Sequence, residues 1–401
     1  MKQRRFPPWL IPLLACAVLS QAALNLSRPL VTYRVIGLGG DALAIGLVTA
    51  AFAVLPLIVA MPLGRLTDRL RGLGLVLACG PLLLAGGALL MSTTKTVLAL
   101  ALSSAVLGLG QLVFMVGAQA IVARWSPDHL LDRGFGWFTA AVAFGQLFGP
   151  LLAGGLLGNA SGAQLAEVSR TAFWVAGGIA LLPMPLVGLI AFRTRSLRRE
   201  KSERRESASI ESSRQLVRRP GVGAGMYASL AMLSAVDILA AYLPLIGERN
   251  GISPAAVGIL LALRSAATIS SRLLLDLMLR RWTRQQLIVM SAAGSAVTLA
   301  VVPIAGVGFG GMAAGLLAGG FLLGVGQPLT MSVLARAVPE NARSSVLALR
   351  MVANRVGQVA VPSVAGVVAA SAGAAGAWWL SCVVLGTAAL VSQRSVPPQE
   401  E

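Results

Sequence analysis

Runs of about 20 apolar residues, each enough to cross ~30 Å of hydrocarbon as a helix, recur along the whole of this 401-residue chain. Nothing else in the sequence narrows the possible folds as far. A segment in lipid has no water to satisfy its peptide groups, so it must be a helix or part of a closed barrel. Runs this long and continuous are read as helices, at 9–30, 41–63, 73–92, 96–123, 135–158, 171–192, 222–246, 254–279, 286–305, 309–335, 343–370 and 375–393. The expected fold class is an all-α membrane protein with twelve transmembrane helices. With 56% of its residues hydrophobic and 12% charged, the chain has too little polar surface to be a soluble globule.

The formal net charge of +18 would suggest nucleic acid in a soluble protein. Its placement argues for another reading. One set of ends and connections holds 24 Lys and Arg, whereas the other holds four, Arg34, Lys95, Arg170 and Arg249. Basic residues on short loops resist translocation, so both termini are expected in the cytoplasm and the protein in a bacterial-type plasma (inner) membrane. Membrane lipid is then a partner, and nucleic acid is not. The start "MKQRRFPPWLIPLLAC" looks like a secretion signal ending at Cys16. Cleavage there would leave an odd number of spans, so it is read as the uncleaved first helix. Cys16, Cys79 and Cys382 lie in apolar runs, and His129 stands alone. No disulfide, metal site or Ser-His-Asp arrangement follows from these. The sequence has no GxxxxGK[ST] loop for a nucleotide. No cofactor is expected, and an enzyme is disfavoured; a sensor or scaffold would want a soluble domain that the chain lacks.

The segment 193–219, "RTRSLRREKSERRESASIESSRQLVRR", carries ten basic and four acidic residues and no aromatic. It cannot bury a core and reads as a solvated linker. Six spans precede it and six follow, giving an N-terminal bundle 1–192, a linker 193–220 and a C-terminal bundle 221–401. The halves look like copies at an offset of 212 positions. That offset pairs Gly46 with Gly258, Pro127 with Pro339, Gly145-Gln146 with Gly357-Gln358, Pro150 with Pro362, and Gly154 with Gly366. Six-plus-six repeats are a transporter signature, with the site near mid-membrane.

The second intracellular turn reads "PLGRLTDRLRG", 62–72. It resembles the loop signature of the major facilitator superfamily, matching at Gly64, Asp68 and Arg69. The resemblance implies two pseudo-symmetric six-helix bundles, a small-molecule substrate moved by alternating access, and a cytoplasmic latch at these three residues. Gly64 would let helix ends approach, and Asp68 could pair with Arg. At the repeat offset, "SRLLLDLMLRRW" is degenerate, so the latch would be one-sided. The fifth span, "GWFTAAVAFGQLFGPLLAGG", resembles the helix-five motif of drug–proton antiporters in the superfamily. Gly136, Gly145, Gly149, Pro150 and Gly154 match, and Ala153 replaces a glycine. The resemblance implies a tight, leak-sealing hinge between halves, suited to efflux. Those antiporters carry an Arg on helix four where this chain has Ser104.

Ionisable groups at mid-span need a partner or a task. Asp237, in "MLSAVDILAAYLP", is the proton-coupling candidate, because burial favours its neutral form and a nearby Arg its charged form. Arg264 and Arg355 lie near the midplane. In "LRMVANRVGQ", Arg350 and Asn354 are four apart, and Arg355 is one turn from Gln358. Arg350 and Arg272, nearer the cytoplasm, and Arg28, nearer the outside, are read as snorkelling. Gln21 and Asn25 share a face of helix one, and Gln111 and Gln146 add polar points. The substrate-cavity candidates are thus Gln21, Asn25, Gln111, Gln146, Arg264, Asn354, Arg355 and Gln358. Tyr227 and Tyr242 could line a cavity or anchor at an interface. The expectation is a monomeric secondary transporter exporting a drug-like molecule or organic anion against protons. Uptake of a polar or anionic solute by proton symport is the alternative.

Overall fold

A computed structural model of the protein describes residues 7–70, 73–126, 131–160, 163–194, 218–304, 306–338 and 343–395. Among them there is helix and turn but no strand. The helices are α1 (Leu10–Gly37), α2 (Ala42–Arg69), α3 (Gly74–Thr93), α4 (Val97–Trp125), α5 (Leu131–Leu157), α6 (Ala163–Leu181) and α7 (Pro183–Thr194). After the charged segment come α8 (Val222–Arg249), α9 (Pro254–Leu273), the single turn α10 (Leu275–Met278), α11 (Arg284–Ala300), α12 (Phe309–Arg336) and α13 (Arg343–Ser395). Every expected span falls on helix, and the fold is all-α as read from the sequence.

The boundaries differ where local chemistry intervenes. The span expected at 171–192 is two helices, α6 and α7, because Pro183 has no N–H to continue the first. The span expected at 254–279 breaks after Leu273, and that at 286–305 ends at Ala300. The last two spans are two helices, given together as α13, that meet at Gly373, whose φ of 71° and ψ of −177° interrupt the helix. A side chain is strained at such a φ, so glycine is needed there. Among the described residues, the starts of α2, α4, α9 and α11 carry hydroxyl or carboxylate caps. Asp41 accepts from Ala44 N at 2.8 Å, Thr96 from Ala99 N at 3.2 Å, and Ser253 from Ala256 N at 3.3 Å. Thr283 and Gln286 form a reciprocal capping box.

The chain divides into two compact units, Met1–Leu38 with Ala51–Glu206, and Gly39–Ala50 with Ser207–Glu401. The first turns of α2 thus group with the second unit. Most of the expected linker, 195–217, lies outside the described residues, as do His129 and the repeat pair Pro127 and Pro339. In the first unit, an apolar core joins Leu13 and Cys16 of α1 to Leu77, Phe114, Ile121, Phe138 and Val187. In the second, Val222, Met226, Leu334, Val338 and Val346 form a cluster. Between the helices of each unit, packing rests on small residues, because lipid offers no hydrophobic drive for association. A Cβ on Gly80 or Gly110 would run into the facing α4 or α3 backbone at 2.6–2.7 Å. One on Gly320 or Gly324 would do the same to α9, at Arg264 O and Thr268 Cα. The outer faces are apolar, with Leu75, Leu98, Phe192, Leu273 and Val297 all exposed, as a lipid-facing surface requires.

Candidate functional site

Each unit buries a hydrogen-bonded cluster of polar side chains. In the second unit the cluster spans α8 and α13. Asp237 is buried in the middle of α8. Its Oδ2 accepts a 2.6 Å hydrogen bond from Gln358 Nε2. Gln358, itself buried, turns its other amide end toward Arg355, whose guanidinium donates to Gln358 Oε1 at 2.8 Å. The three side chains form one hydrogen-bonded chain from carboxylate through amide to guanidinium. An amide between two charges is polarised by both, which strengthens each bond in a low dielectric. Close approach of the helices beside this chain is set by Gly357. A Cβ there would meet Leu230 of α8 at 2.2–2.9 Å.

Arg264, on α9, is held differently. Its NH2 donates to Ser265 Oγ at 3.0 Å, and Gly320 of α12 packs directly on its backbone and Cγ. Asn354 is buried on α13, with no hydrogen-bond partner for its Oδ1 among the described residues. Tyr242 is fully buried, and its hydroxyl donates to Ala42 O at 3.0 Å; it is not an interface anchor. Tyr227 pairs its hydroxyl with Thr387 Oγ1 at 2.8 Å on an exposed face.

In the first unit the cluster spans α1 and α4. Gln21 is buried, and its Nε2 donates to Gln111 Oε1 at 2.9 Å, with Met115 Sδ at 3.7 Å. One turn on, Asn25 Nδ2 donates to Gln21 O at 2.9 Å. Helix α5 lies against this face through two glycines. A Cβ on Gly145 would meet Gln21 Cβ at 2.5 Å, and one on Gly149 would meet Asn25 Cβ at 2.6 Å. Two of the helix-five glycines therefore seat α5 on the polar face of α1, inside a single unit. Pro150 and Gly154 are buried and Gln146 half-buried. Gly136 is exposed, with no described atom within 4 Å of a Cβ.

Two sequence readings change. Arg28 does not snorkel: its guanidinium sits 4.8 Å from the centre of the Phe52 ring, where the ring's negative face attracts the cation. Arg350 is buried at 6% exposure, and Arg272 is half-buried with its Nε shut away from solvent; the apolar surroundings of α9 and α13 leave neither side chain free in the way snorkelling needs. At the latch, no described atom lies within 4 Å of a Cβ on Gly64. The side chains of Asp68 and Arg69 lie outside the described residues. Phe52 and Met115 were missed because an apolar residue in an apolar run carries no signal; only the repeat and register of α1 with α2 and α4 could have singled them out.

The geometry agrees with what the chain resembles. The Quinolone resistance protein NorA of Staphylococcus aureus is 30% identical over 148 residues, 37% of this chain and 35% of that protein. Multidrug resistance protein 1 of Bacillus subtilis is 31% identical over 140 residues, 35% of this chain and 33% of that protein. The chain thus aligns with about a third of the length of these curated relatives. Among solved structures, the D-xylose-proton symporter superposes with a TM-score of 0.73 at 15% identity, covering 97% of this chain and 98% of that one. A mutant of the nucleoside transporter NupG gives 0.76 at 12% identity, covering 97% and 100%. At these identities the likeness is one of fold. The sequence profile of the Major Facilitator Superfamily matches residues 13–311 and 226–401, and the chain belongs to that family.

Proposed function

We propose that the protein is a secondary active transporter that exports a small organic molecule by alternating access, with Asp237 carrying the coupling proton. The observation that carries this reading is the chain Asp237–Gln358–Arg355. With Asp237 ionised, the carboxylate and the guanidinium balance through Gln358. A proton on Asp237 removes the negative end, while Arg355 keeps its charge at the other. Proton occupancy therefore changes what the site holds best. A cationic solute suits the ionised state, so proton and solute exclude one another, as exchange requires. The efflux direction is supported by the partial identity to the quinolone and multidrug resistance proteins.

A second reading is uptake of a polar or anionic solute with a proton, since neutralising the carboxyl leaves the site more positive and so more attractive to an anion. It is favoured by Ser104 in place of the antiporters' arginine and by two mid-span arginines, Arg264 and Arg355, against one mid-span acid, Asp237. Membrane vesicles separate the readings. Wild-type protein is expected to expel substrate in exchange for protons in a counterflow assay, and Asp237→Asn to lose all dependence on the pH gradient while still exchanging substrate. Unchanged pH dependence in Asp237→Asn would remove the carboxyl from the mechanism, and accumulation with the proton gradient would favour symport. The protein is taken to act as a monomer in a bacterial plasma membrane with both termini in the cytoplasm.

A further inference from the structure

Arg350 and Asn354 sit one turn apart near the start of α13, five and one residues before Arg355. Arg350 is about 7.5 Å from Arg355 along the helix axis at 1.5 Å per residue, so it lies away from the Asp237 chain. Both side chains are more than nine-tenths buried, at 6% and 8% exposure. Neither Arg350 Nε nor Asn354 Oδ1 has a hydrogen-bond partner among the described residues. The same turns of α13 contribute Val346, Leu347, Leu349 and Ala353 to an apolar cluster with Val222, Met226 and Leu334.

A guanidinium stays charged in a protein, and a buried charge without a counter-charge is strongly destabilising. A buried amide oxygen with nothing to accept carries its own penalty. Side chains four apart on a helix are neighbours, so one ligand can answer both. To satisfy the guanidinium it must be an anion. To satisfy Asn354 Oδ1 it must bring a donor of its own, which a plain carboxylate or a sulfate lacks. We propose that Arg350 and Asn354 form a binding site for a phosphate that carries a hydroxyl, either a free solute or the headgroup of a hydroxylated anionic phospholipid. The fork of Arg350 takes two phosphate oxygens, and Asn354 Oδ1 accepts from the hydroxyl. The inference concerns equilibrium binding and does not rest on the transport reading above.

Phosphate and sulfate form the discriminating pair, because they share a shape and differ in the hydroxyl at neutral pH. Full-length protein in uncharged detergent is titrated with each at matched ionic strength, and its thermal midpoint followed. Wild type is expected to gain a few degrees, saturably, with phosphate, and to need roughly 10- to 100-fold more sulfate for the same gain. Asn354→Ala should bring phosphate down to the level of sulfate. Arg350→Gln should abolish the saturable response to both. Arg350→Lys, which keeps the charge without the fork, should fold and bind phosphate more weakly, guarding against a variant that merely misfolds. Native mass spectrometry separates the sources. Phosphatidylglycerol retained by wild type and lost from Arg350→Lys, with no response to inorganic phosphate, assigns the site to a lipid headgroup. Equal responses to phosphate and sulfate in wild type overturn the proposal. So does a wild type that holds neither phosphate nor phosphatidylglycerol in a manner sensitive to Arg350; the counter-charge would then be another side chain of this protein in a different conformation.

Discussion

Gln358 uses both ends of its amide, donating to Asp237 and accepting from Arg355, so its loss would remove a bond from two charged groups at once. Gln358→Leu is expected to cost about 1–3 kcal/mol, the range for an unsatisfied buried group, measured as a lower thermal midpoint in detergent. Gln358→Glu sets a second carboxylate beside Asp237, and transport rate against pH should shift toward the alkaline side because one of two close carboxylates holds its proton more tightly. A pH profile identical to wild type would show that the amide does not link Asp237 to the working cycle. The residues of this chain were legible from the sequence, since an acid and an arginine in apolar runs stand out on cost alone. Their connection was not. Asp237 and Gln358 are 121 positions apart, and no local pattern says which arginine an isolated acid will face.

At the scale of the helix, the glycines of α5 separate into two kinds that the sequence shows as one motif. Gly145 and Gly149 lie against α1 with no room for a methyl group, whereas Gly136 is exposed, with no described atom within 4 Å of a Cβ. Gly149→Ala is therefore expected to lower stability by about 1–3 kcal/mol through overpacking. Gly136→Ala and Gly64→Ala should be neutral or gain up to about 1 kcal/mol from better helix propensity. Parallel thermal unfolding of the three variants checks this, and equal losses at all three would mean that the motif acts as a whole. The short helix α11 shows a different device. Its last carbonyls, Leu299 O and Ala300 O, accept from the indoles of Trp378 and Trp379 at 2.8 and 3.0 Å. Carbonyls at a helix end lack the regular i+4 donor, and in lipid no water takes that place. Leu299 O also accepts from Val302 N at 3.1 Å, so Trp378→Phe, which keeps the ring and removes one of that carbonyl's two donors, should cost about 0.5–1.5 kcal/mol, again read from the thermal midpoint.

For the whole molecule, the asymmetry of basic residues predicts topology independently of packing. Reporter fusions at either terminus are expected to be active only for a cytoplasmic reporter, and a periplasmically active C-terminal fusion would contradict the charge argument. The two compact units also divide α2. Its residues 42–50 group with the second unit, where Gly46 meets Gly366 and Pro362 O so closely that a Cβ would come within 2.6 Å of both. Gly46→Val should accordingly impair folding or transport far more than Gly64→Ala on the same helix, by membrane-fraction yield and vesicle assay. The offset of 212 had marked Gly46 and Gly366 as members of two different pairs, with Gly258 and Gly154. It gave no sign that they would touch one another.

What the sequence determined alone follows from the solvent. Once a run of 20 apolar residues lies in lipid, its peptide groups must bond internally, so the all-α class and the family could be read from the chain without any contact being known. Helix ends proved less legible, because Pro183 and Gly373 act through backbone geometry that hydropathy does not register. Only the tertiary structure decided that Gln358 joins Asp237 to Arg355, that Gly145 and Gly149 rest on Gln21 and Asn25, and that Arg28 turns to Phe52. In lipid every outward face is equally apolar, so partners are chosen by close fit and by the few polar groups that must find one another. That choice belongs to three-dimensional packing and leaves no period in the sequence.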